Sequence, residues 1–566
     1  MFDKGRRSPA DQNSFTRRIW IALVALVVLF YFFFPHSYSY NPYPVTHAVT
    51  EAKDLHPQNY LRNLTKGDNT PPPFDFCPIY GPGDALGLKY GSVPLGRSRL
   101  YTGTGTRVQR VIHKALSGLP VTISVLGGSI SACHGAGDDP IAPRCYPARF
   151  FQWWNEIFPH PASELTNGAM RKTDSAYFSF CHGLHLPDQT DLVILEFDAE
   201  DPNDPAWIDH FELLVRSILV RRDQPAVIIL GHFSPQIQGI HGFAGPELLH
   251  TLVAQYYDVP HISIKGMLYN SYLRSPDAVR KYYADPVLAN PTGHELISDA
   301  LAAFFQQQIC AGWASATGAS FDSLPFPLGG DMGIDPSPAD SRGVFGGIGL
   351  RRGDAGKNGE ADGVEIDNAN AVHAGGDTHA EAEAGPGQGV PMASAYGYMN
   401  VPLARMSDRP SDVARFREVE PFCVSANDLV NPLPPSLFYG SGWLAYHPAK
   451  GPHLSLEESR HYWYSTMPTS KLRVQLKVGA GDIAVYYLQE PASADGKLNS
   501  EVRCWVDDNV KGSKMINNAG EVDRPTPALK MIDRGVARGS HFVECSLEGE
   551  EGKPVAPFKI LGIFTT

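Results

Sequence analysis

VTISVLGG, residues 121–128, is the stretch that decides the fold: a short apolar run that ends at paired glycines. Similar runs follow at Asp191–Phe197 (DLVILEF) and Ala226–Leu230 (AVIIL), and a briefer one at Ile262–Ile264. Between these strand-like runs, apolar residues recur at helical spacing in Ala148–Phe158, Thr173–Leu184, Trp207–Ile218, Leu248–Tyr256 and Leu296–Phe305. Strands that alternate with helices predict a parallel sheet covered by helices on both faces, and we assign residues 95–313 to this α/β domain.

The chain on either side of this domain has a different composition. Residues 393–566 contain alternating runs such as Leu472–Val478 (LRVQLKV) separated by Gly, Asp and Pro turns, which predicts an antiparallel β-sandwich domain. Residues 314–392 are dominated by Gly, Ala, Asp and Glu, which predicts a disordered acidic linker. Residues 41–94 are rich in Pro, Asn and Tyr, which predicts an extended or irregular stem.

The N-terminal region predicts a membrane anchor. Ile19–Phe34 reads IWIALVALVVLFYFFF without a charge, and four arginines precede it. Sixteen residues at ~1.5 Å rise give roughly 24 Å of helix, which the aromatic collar Ser37–Tyr40 extends. We therefore predict a single-pass type II signal anchor over 19–40, with residues 1–18 cytoplasmic and the bulk in the lumen of the secretory pathway, the Golgi in particular. The alternative is a cleaved signal peptide, but no small-residue cleavage site follows the run.

The cysteines and the charge fit a lumenal glycoprotein. The eight cysteines contain no CxxC motif and no zinc-finger spacing, so we expect disulfides and no structural metal. Cys504–Cys545 and Cys133–Cys145 are the pairs we favour, with free buried thiols as the alternative. Asn63-Leu64-Thr65 is a glycosylation sequon. The net charge of −12 argues against a nucleic-acid partner.

Polar motifs follow four of the predicted strand ends, where active sites of parallel sheets lie. Ser129 follows Gly127-Gly128, a turn that fits a nucleophile, a phosphate-binding loop or a plain turn. Gly168 follows Asn167 and can offer an unhindered N–H, or form a simple turn. Glu196–Asp204 contains five acids, whose commonest role is helix capping. Asp285 and His294 precede the last helix, where a lone histidine is more often structural than catalytic.

Together, LGGSISACHG (126–135), TNGAM (166–170), CHGLHLPDQTDLVILEF (181–197) and NPTGHELISDAL (290–301) resemble the four blocks of the SGNH hydrolase superfamily, in the same order. The sequence is most similar to fungal capsule-associated, membrane-anchored proteins of that superfamily. This resemblance implies a flavodoxin-like three-layer domain and acyl-ester chemistry without a cofactor. It implies Ser129 as nucleophile, with His294 and Asp285 completing the triad, and Ser129, Gly168 and Asn203 as the oxyanion hole.

Two positions depart from the family pattern. Counting places Glu200 where the family has its asparagine, unless a longer loop lets Asn203 take that role. Leu288 stands at the family's catalytic histidine, so within this block only His294 remains, at a secondary position of the family pattern, and His134 and His232 are further candidates for the base. A serine needs such a base because its hydroxyl is a poor nucleophile near neutral pH.

Three functions remain open from the sequence. The first is a lumenal O-acyl (acetyl) esterase or acyltransferase that acts on a cell-surface or capsular polysaccharide through Ser129. The second is a catalytically inactive SGNH-like protein that binds glycan or acts as a scaffold in polysaccharide synthesis, which the departures at Glu200 and Leu288 motivate. The third is a glycosyltransferase-like or metal-dependent enzyme that uses the acids from Asp198 through Asp201 to Asp204. In each case we expect a glycan as the partner.

Overall fold

The computed structural model describes residues 55–62, 70–137, 139–317, 401–410, 418, 421–427, 433–448, 460–479, 481–492, 499–522 and 525–566. Every element below belongs to the compact unit Pro57–Thr566. The predicted anchor, the sequon at Asn63 and residues 318–392 of the predicted linker lie outside the described residues. The first four residues assigned to that linker, 314–317, are instead the end of a helix. Within the described ranges, no helix combines the length and the apolar character that a membrane crossing requires.

The first domain is built on a parallel sheet with one antiparallel edge strand. Its strands are β1 (Arg99–Tyr101), β2 (Thr122–Gly127), β3 (Glu164–Asn167), β4 (Leu192–Glu196), β5 (Ala226–Gly231) and β6 (His261–Ser263). The spatial order is β1-β6-β5-β4-β2-β3, in which only β1 runs antiparallel to its neighbour. The five parallel strands thus follow the 2-1-3-4-5 order of flavodoxin-like sheets. The α/β prediction is confirmed, and the central strands are almost fully buried because helices cover both faces.

Four of the predicted helices begin and end within three residues of the limits that periodicity gives, whereas the last predicted helix, Leu296–Phe305, is the middle of a longer one, and the remaining helices were not predicted. The helices are α1 (Ala85–Tyr90), α2 (Ser92–Arg97), α3 (Thr106–Leu116), α4 (Tyr146–Ile157), α5 (Ser175–Cys181), α6 (Ile208–Leu219), α7 (Pro235–His241), α8 (Pro246–Tyr257), α9 (Lys265–Arg274) and α10 (Pro291–Thr317). The face of α8 that the apolar pattern predicts to be buried is partly exposed, since Leu248 and Leu252 are 54% and 44% exposed. The buried face instead carries His250, Val253 and Tyr257, because a charged network lies beneath it.

The end of the predicted stem is part of the α/β domain. Phe74 and Phe76 are buried in the main hydrophobic core, and Cys77 forms a disulfide with Cys310 on α10. Ala85–Tyr90 and Ser92–Arg97 form helices, whereas the sequence predicted irregular chain as far as residue 94. The stem prediction relied on the lack of periodicity, but two aromatic side chains, one disulfide and hydrogen bonds from Lys89 and Tyr90 to Asp299 hold this segment against the core.

The C-terminal region is β-rich, as predicted, and its two sheets face each other. One contains β10 (Lys471–Val478), β12 (Glu501–Val506), β13 (Lys514–Asn517) and β16 (Gly539–Leu547). The other contains β7 (Phe422–Ser425), β8 (Leu444–Tyr446), β9 (Tyr462–Ser465), β11 (Ile483–Pro491), β14 (Ala519–Gly520), β15 (Thr526–Asp533) and β17 (Phe558–Thr565). Strand β10 shows strict alternation of exposed and buried residues, because one face packs in the sandwich core and the other meets solvent.

The second sheet also packs its outer face on the α/β domain. Tyr486 of β11 and Phe564 of β17 share a hydrophobic cluster with Tyr177 and Phe180 of α5. The Tyr486 hydroxyl donates to the Asp174 carboxylate at 2.8 Å, and that carboxylate caps the N-terminus of α5. Alternate residues of the same strands therefore build two different cores.

All eight cysteines pair in the structure. Both favoured pairs, Cys133–Cys145 and Cys504–Cys545, are confirmed, and the latter joins residues directly opposite each other on β12 and β16. The other bonds are Cys77–Cys310 and Cys181–Cys423. Cys181–Cys423 links the α/β domain to the sandwich across 242 residues of chain.

We expect Cys181→Ser combined with Cys423→Ser to lower the free energy of unfolding by about 2–4 kcal/mol, because the long loop regains conformational freedom in the unfolded chain. Denaturant unfolding of the double variant measures the loss. Non-reducing peptide mapping of the wild-type protein provides the control, and a Cys181 peptide bonded to any partner other than Cys423 would contradict this pairing.

Candidate functional site

Ser129 lies directly after β2, at the carboxyl edge of the sheet. Its hydroxyl donates a short hydrogen bond to Glu200 Oε1, and its backbone N–H donates to the same oxygen at 3.0 Å. The Lys172 N–H donates to Ser129 Oγ at 3.0 Å. Among the described residues, no imidazole hydrogen-bonds to this hydroxyl. The serine that the sequence singled out is therefore bound on its N–H and on its hydroxyl by one carboxylate.

The Glu200 contact depends on the glycine before Ser129. A Cβ built at Gly128 would lie 2.2 Å from Glu200 Cγ, so any side chain there would displace the glutamate. Counting along the sequence placed Glu200 at this position, and the structure also places it there. Asn203 lies elsewhere, with its amide nitrogen 3.3 Å from His241 Nδ1 in an exposed loop.

The Gly168 N–H, which the family resemblance places in the oxyanion hole, forms a hydrogen bond within the sheet. This N–H donates to the Val125 carbonyl at 2.9 Å, where β3 leaves the sheet beside β2. A Cβ at Gly168 would lie 2.4 Å from the His185 carbonyl oxygen, which explains the glycine by close packing. The N–H next to the Ser129 hydroxyl is that of Lys172, whose φ of 55° turns the backbone toward the serine. No sequence pattern marks Lys172, because a positive φ at a lysine has no sequence signature.

His294 and Asp285 do not join Ser129 in a hydrogen-bonded triad. His294 is fully buried at the start of α10, and its Nδ1 accepts from the Tyr146 N–H at 3.3 Å. Burial lowers the pKa of His294 to about 3, and its Nε2 has no hydrogen-bond partner in the part of the chain that the structure describes. Asp285 Oδ1 accepts from the Val287 and Leu288 N–H groups at 2.7 and 2.6 Å, so it closes a turn.

The remaining histidine candidates occupy different positions around the sheet edge. His232 is buried after β5, its Nε2 lies 3.0 Å from the Val287 carbonyl oxygen, and burial lowers its pKa to about 4. His134 is partly exposed, and its backbone N–H donates to the Ser129 carbonyl at 3.0 Å. Neither arrangement places an imidazole on the Ser129 hydroxyl.

A buried histidine that the sequence did not single out, His250 of α8, contacts the acidic loop. Its Nδ1 lies 2.7 Å from Asp198 Oδ1, and its Nε2 lies 2.9 Å from Asp201 Oδ2. Burial acts to lower the pKa of His250, but the two carboxylates outweigh it and raise the pKa to about 10. Two of the acids that the sequence suggested for a metal-dependent enzyme, Asp198 and Asp201, thus bond to an imidazolium. Among the described residues, no three or more His, Cys, Asp or Glu side chains are grouped so that they could hold a metal ion.

Glu196, at the end of β4, is the other unusual acid at this edge. Its Oε2 accepts from the Ser131 hydroxyl at 3.0 Å, while its buried Oε1 has no partner among the described residues. Burial raises the pKa of Glu196 to about 8, and the neighbouring Asp198 carboxylate adds to the effect. The position therefore favours a neutral carboxylic acid near neutral pH.

No protein-family model matches the chain, and no curated protein matches it. Among solved structures, the chain is similar to a two-domain esterase active on acetylated mannans, also solved with mannopentaose, at 14% identity over 84% of this chain and 99% of that one, with a TM-score of 0.48. It is also similar to an acetyl xylan esterase, at 11% identity over 32% of this chain and 98% of that one, with a TM-score of 0.28. A third similar structure is a lipolytic G-D-S-L protein from Veillonella parvula DSM 2008, at 18% identity over 33% of this chain and 98% of that one, with a TM-score of 0.24. These similarities do not show a fungal capsule-associated relative, and such identities and TM-scores do not by themselves assign an activity.

We expect Glu196→Gln to become more stable relative to the wild type as pH rises from 5 to 8. The raised pKa means that the folded wild type holds a proton that the unfolded chain releases, so its stability falls across this window, by a few kcal/mol at about 1.4 kcal/mol per pKa unit. Denaturant unfolding at several pH values measures the difference. Glu156→Gln, on the exposed face of α4, is the control, and parallel stability curves for Glu196→Gln and wild type would contradict the assignment.

Proposed function

We propose that the chain acts on acyl esters of a carbohydrate, with Ser129 as the nucleophile and Glu200 as its general base. The observation that carries this proposal is the direct hydrogen bond from the Ser129 hydroxyl to the Glu200 carboxylate. A base within hydrogen-bond reach of the serine is the geometric requirement for nucleophilic catalysis, and carboxylates can serve as that base. Glu200 would thus take the role for which the sequence suggested His294.

The proton transfers balance with Glu200 alone. As Ser129 Oγ attacks the ester carbonyl carbon, Glu200 takes the hydroxyl proton. When the carbonyl re-forms, the sugar oxygen leaves and receives that proton from Glu200, which leaves an acyl-serine. Water or a second glycan hydroxyl then attacks the acyl-serine while Glu200 takes its proton. The Ser129 Oγ–acyl bond breaks, Glu200 returns the proton to Oγ, and the product is the free carboxylic acid or a new sugar ester. Esterase and transferase therefore share the first half of the reaction.

This assignment also explains how a negatively charged side chain at position 200 is compatible with the negative charge that develops on the substrate oxygen. A fixed carboxylate beside the oxyanion would oppose its formation, but a carboxylate that has taken the serine proton is neutral. The negative charge passes from Glu200 to the substrate oxygen, and the Ser129 N–H, which now contacts Glu200, becomes available to that oxygen. The Lys172 N–H lies beside the reacting hydroxyl as a second donor.

The carbohydrate part of the proposal rests on the sequence resemblance to fungal capsule-associated proteins. Acetylated mannan, on which the structurally similar two-domain esterase is active, is a practical first substrate to test.

A second function, glycan binding without catalysis, is favoured by a separate observation. Ser129 is 0% exposed, while its partners Glu200 and Lys172 are partly exposed. A substrate can reach the hydroxyl only if the groups that cover it move, and groups that stay in place would keep the site closed. In that case the domain would bind glycan or organise other enzymes, as the departures from the family pattern suggest.

We expect a serine-directed fluorophosphonate to label the purified protein at Ser129, and Ser129→Ala to abolish the labelling. Glu200→Gln removes the base while keeping the shape, so its labelling rate should fall by about 100-fold or more, within the range for general-base catalysis. Mass spectrometry of the labelled peptide and the labelling rate provide the measurements.

Asp204→Asn, in the same loop and away from Ser129, is the matched control and should label at the wild-type rate. Absence of wild-type labelling, together with mannan-oligosaccharide binding that survives in Ser129→Ala, would replace the proposal with the non-catalytic function. Labelling that persists in Ser129→Ala would reject Ser129 as nucleophile.

We also propose that the protein is a single-pass type II membrane protein of the secretory pathway. The arginine-flanked apolar run Ile19–Phe34 supports this topology, and four disulfides that use all eight cysteines support an oxidising compartment. In cells, we expect endoglycosidase to shift the wild-type band, and Asn63→Gln to remove that shift. An unshifted wild-type protein, with thiols that react with maleimide before reduction, would argue for a reducing compartment instead.

A further inference from the structure

The loop that carries Glu200 is fixed at both ends by one side chain. Asp198 and Asp201 flank Glu200 in sequence, and both carboxylates bond to His250, one to each ring nitrogen, at 2.7 and 2.9 Å. The three side chains are 2–6% exposed, and the His250 ring stacks on Phe211 with centroids 3.9 Å apart. The imidazole therefore bridges the two ends of a four-residue segment.

The same carboxylates extend the connection to neighbouring elements. The second oxygen of Asp198 accepts from the His232 N–H at 3.1 Å, and that of Asp201 accepts from the Ser175 N–H at 2.8 Å. Ser175 begins α5 and lies three residues after Lys172, whose N–H contacts the Ser129 hydroxyl. His250 is thus linked, through Asp198 and Asp201, to both groups that contact the serine hydroxyl.

Glu200 itself has little other support. Its carboxylate hydrogen-bonds only to Ser129 within the described part of the chain, so its placement depends on the backbone turn. In that turn, the Glu200 and Asp201 N–H groups donate to the Phe197 carbonyl at 3.0 and 2.9 Å. A side chain that fixes both ends of the turn consequently fixes the carboxylate.

We propose that His250 is a positioning residue for the Ser129–Glu200 pair, acting through Asp198 and Asp201 and touching neither Ser129 nor Glu200. This inference rests on the proposed function, because it assigns His250 a role in placing the base of that reaction. It predicts that loss of His250 affects the reaction step and the order of the site while leaving the rest of the fold in place.

The test compares His250→Gln with His182→Gln, which replaces another buried histidine, in the segment after α5 and outside the loop. For His250→Gln, we expect the maximal fluorophosphonate inactivation rate to fall by about 100-fold with a nearly unchanged half-saturation concentration, since a misplaced base costs about that much. Hydrogen exchange of the Ser129 and Lys172 amides should become at least tenfold faster. His182→Gln should change neither quantity.

A second variant covers a possible folding failure, because His250→Gln leaves two buried carboxylates without a cation. Asp198→Asn, Asp201→Asn and His250→Gln combined remove the charges of these three side chains together and should show the same loss of labelling and protection. A folded variant with wild-type rates and exchange would overturn the proposal, and so would failure of both variants to fold, which would make His250 purely structural. If the wild type is never labelled, the proposed reaction fails, and amide exchange alone then decides whether His250 orders the site.

Discussion

The hydrogen bonds between Glu200 and Ser129 are the interaction on which the rest of this site depends. They exist because β2 and β4 are parallel neighbours whose register places Gly127 beside Glu196, so the loops that leave both strands meet at one edge. Gly128 then provides the space that the glutamate occupies. One carboxylate oxygen takes both hydrogen-bond donors of the serine, so the nucleophile, its base and the oxyanion donor form a single coupled unit.

This unit lies against an unusually charged interior. Burial of an isolated carboxylate is costly, and the structure meets that cost in two ways. Asp198 and Asp201 share the buried imidazolium of His250, whereas Glu196, without a cation, has its pKa raised to about 8. Acids that are close in sequence thus differ in their surroundings, because Asp198 and Asp201 bond to His250 and Glu196 does not. The loop after β4 is fixed by paired charges, and the adjacent acid at the strand end is a neutral hydrogen-bond partner.

The second domain reinforces the same edge of the α/β domain. The loop from Lys172 to Asp174 contacts Ser129 at one end, and at the other Asp174 accepts from the Tyr486 hydroxyl of the sandwich. Burial raises the pKa of Asp174 to about 6, with hydrogen bonds from Tyr486 and Tyr177 opposing that rise. The Cys181–Cys423 disulfide lies at the other end of α5, since Asp174 caps the N-terminus of this helix and Cys181 is its last residue. The sandwich is therefore joined to the domain that carries the serine through a covalent bond, a hydrophobic cluster and a buried polar contact.

The sequence by itself determined the parts of this protein that local patterns encode. Period-two and helical spacing predicted the alternating α/β region and the β-rich region, and paired glycines marked Ser129. Counting pointed to Glu200 at the position where the family pattern has asparagine, with Asn203 as the alternative. Two of the disulfide pairs were also accessible. The tertiary structure decided what depends on contacts between distant segments. These are the strand order, the positive φ of Lys172 and the contact of His250 with the acidic loop. They also include the hydrogen bonds of Gly168 and His294, which go to groups other than the serine hydroxyl. The physical reason is that a hydrogen bond between residues tens of positions apart is set by strand register and helix packing, which leave no periodic trace along the chain.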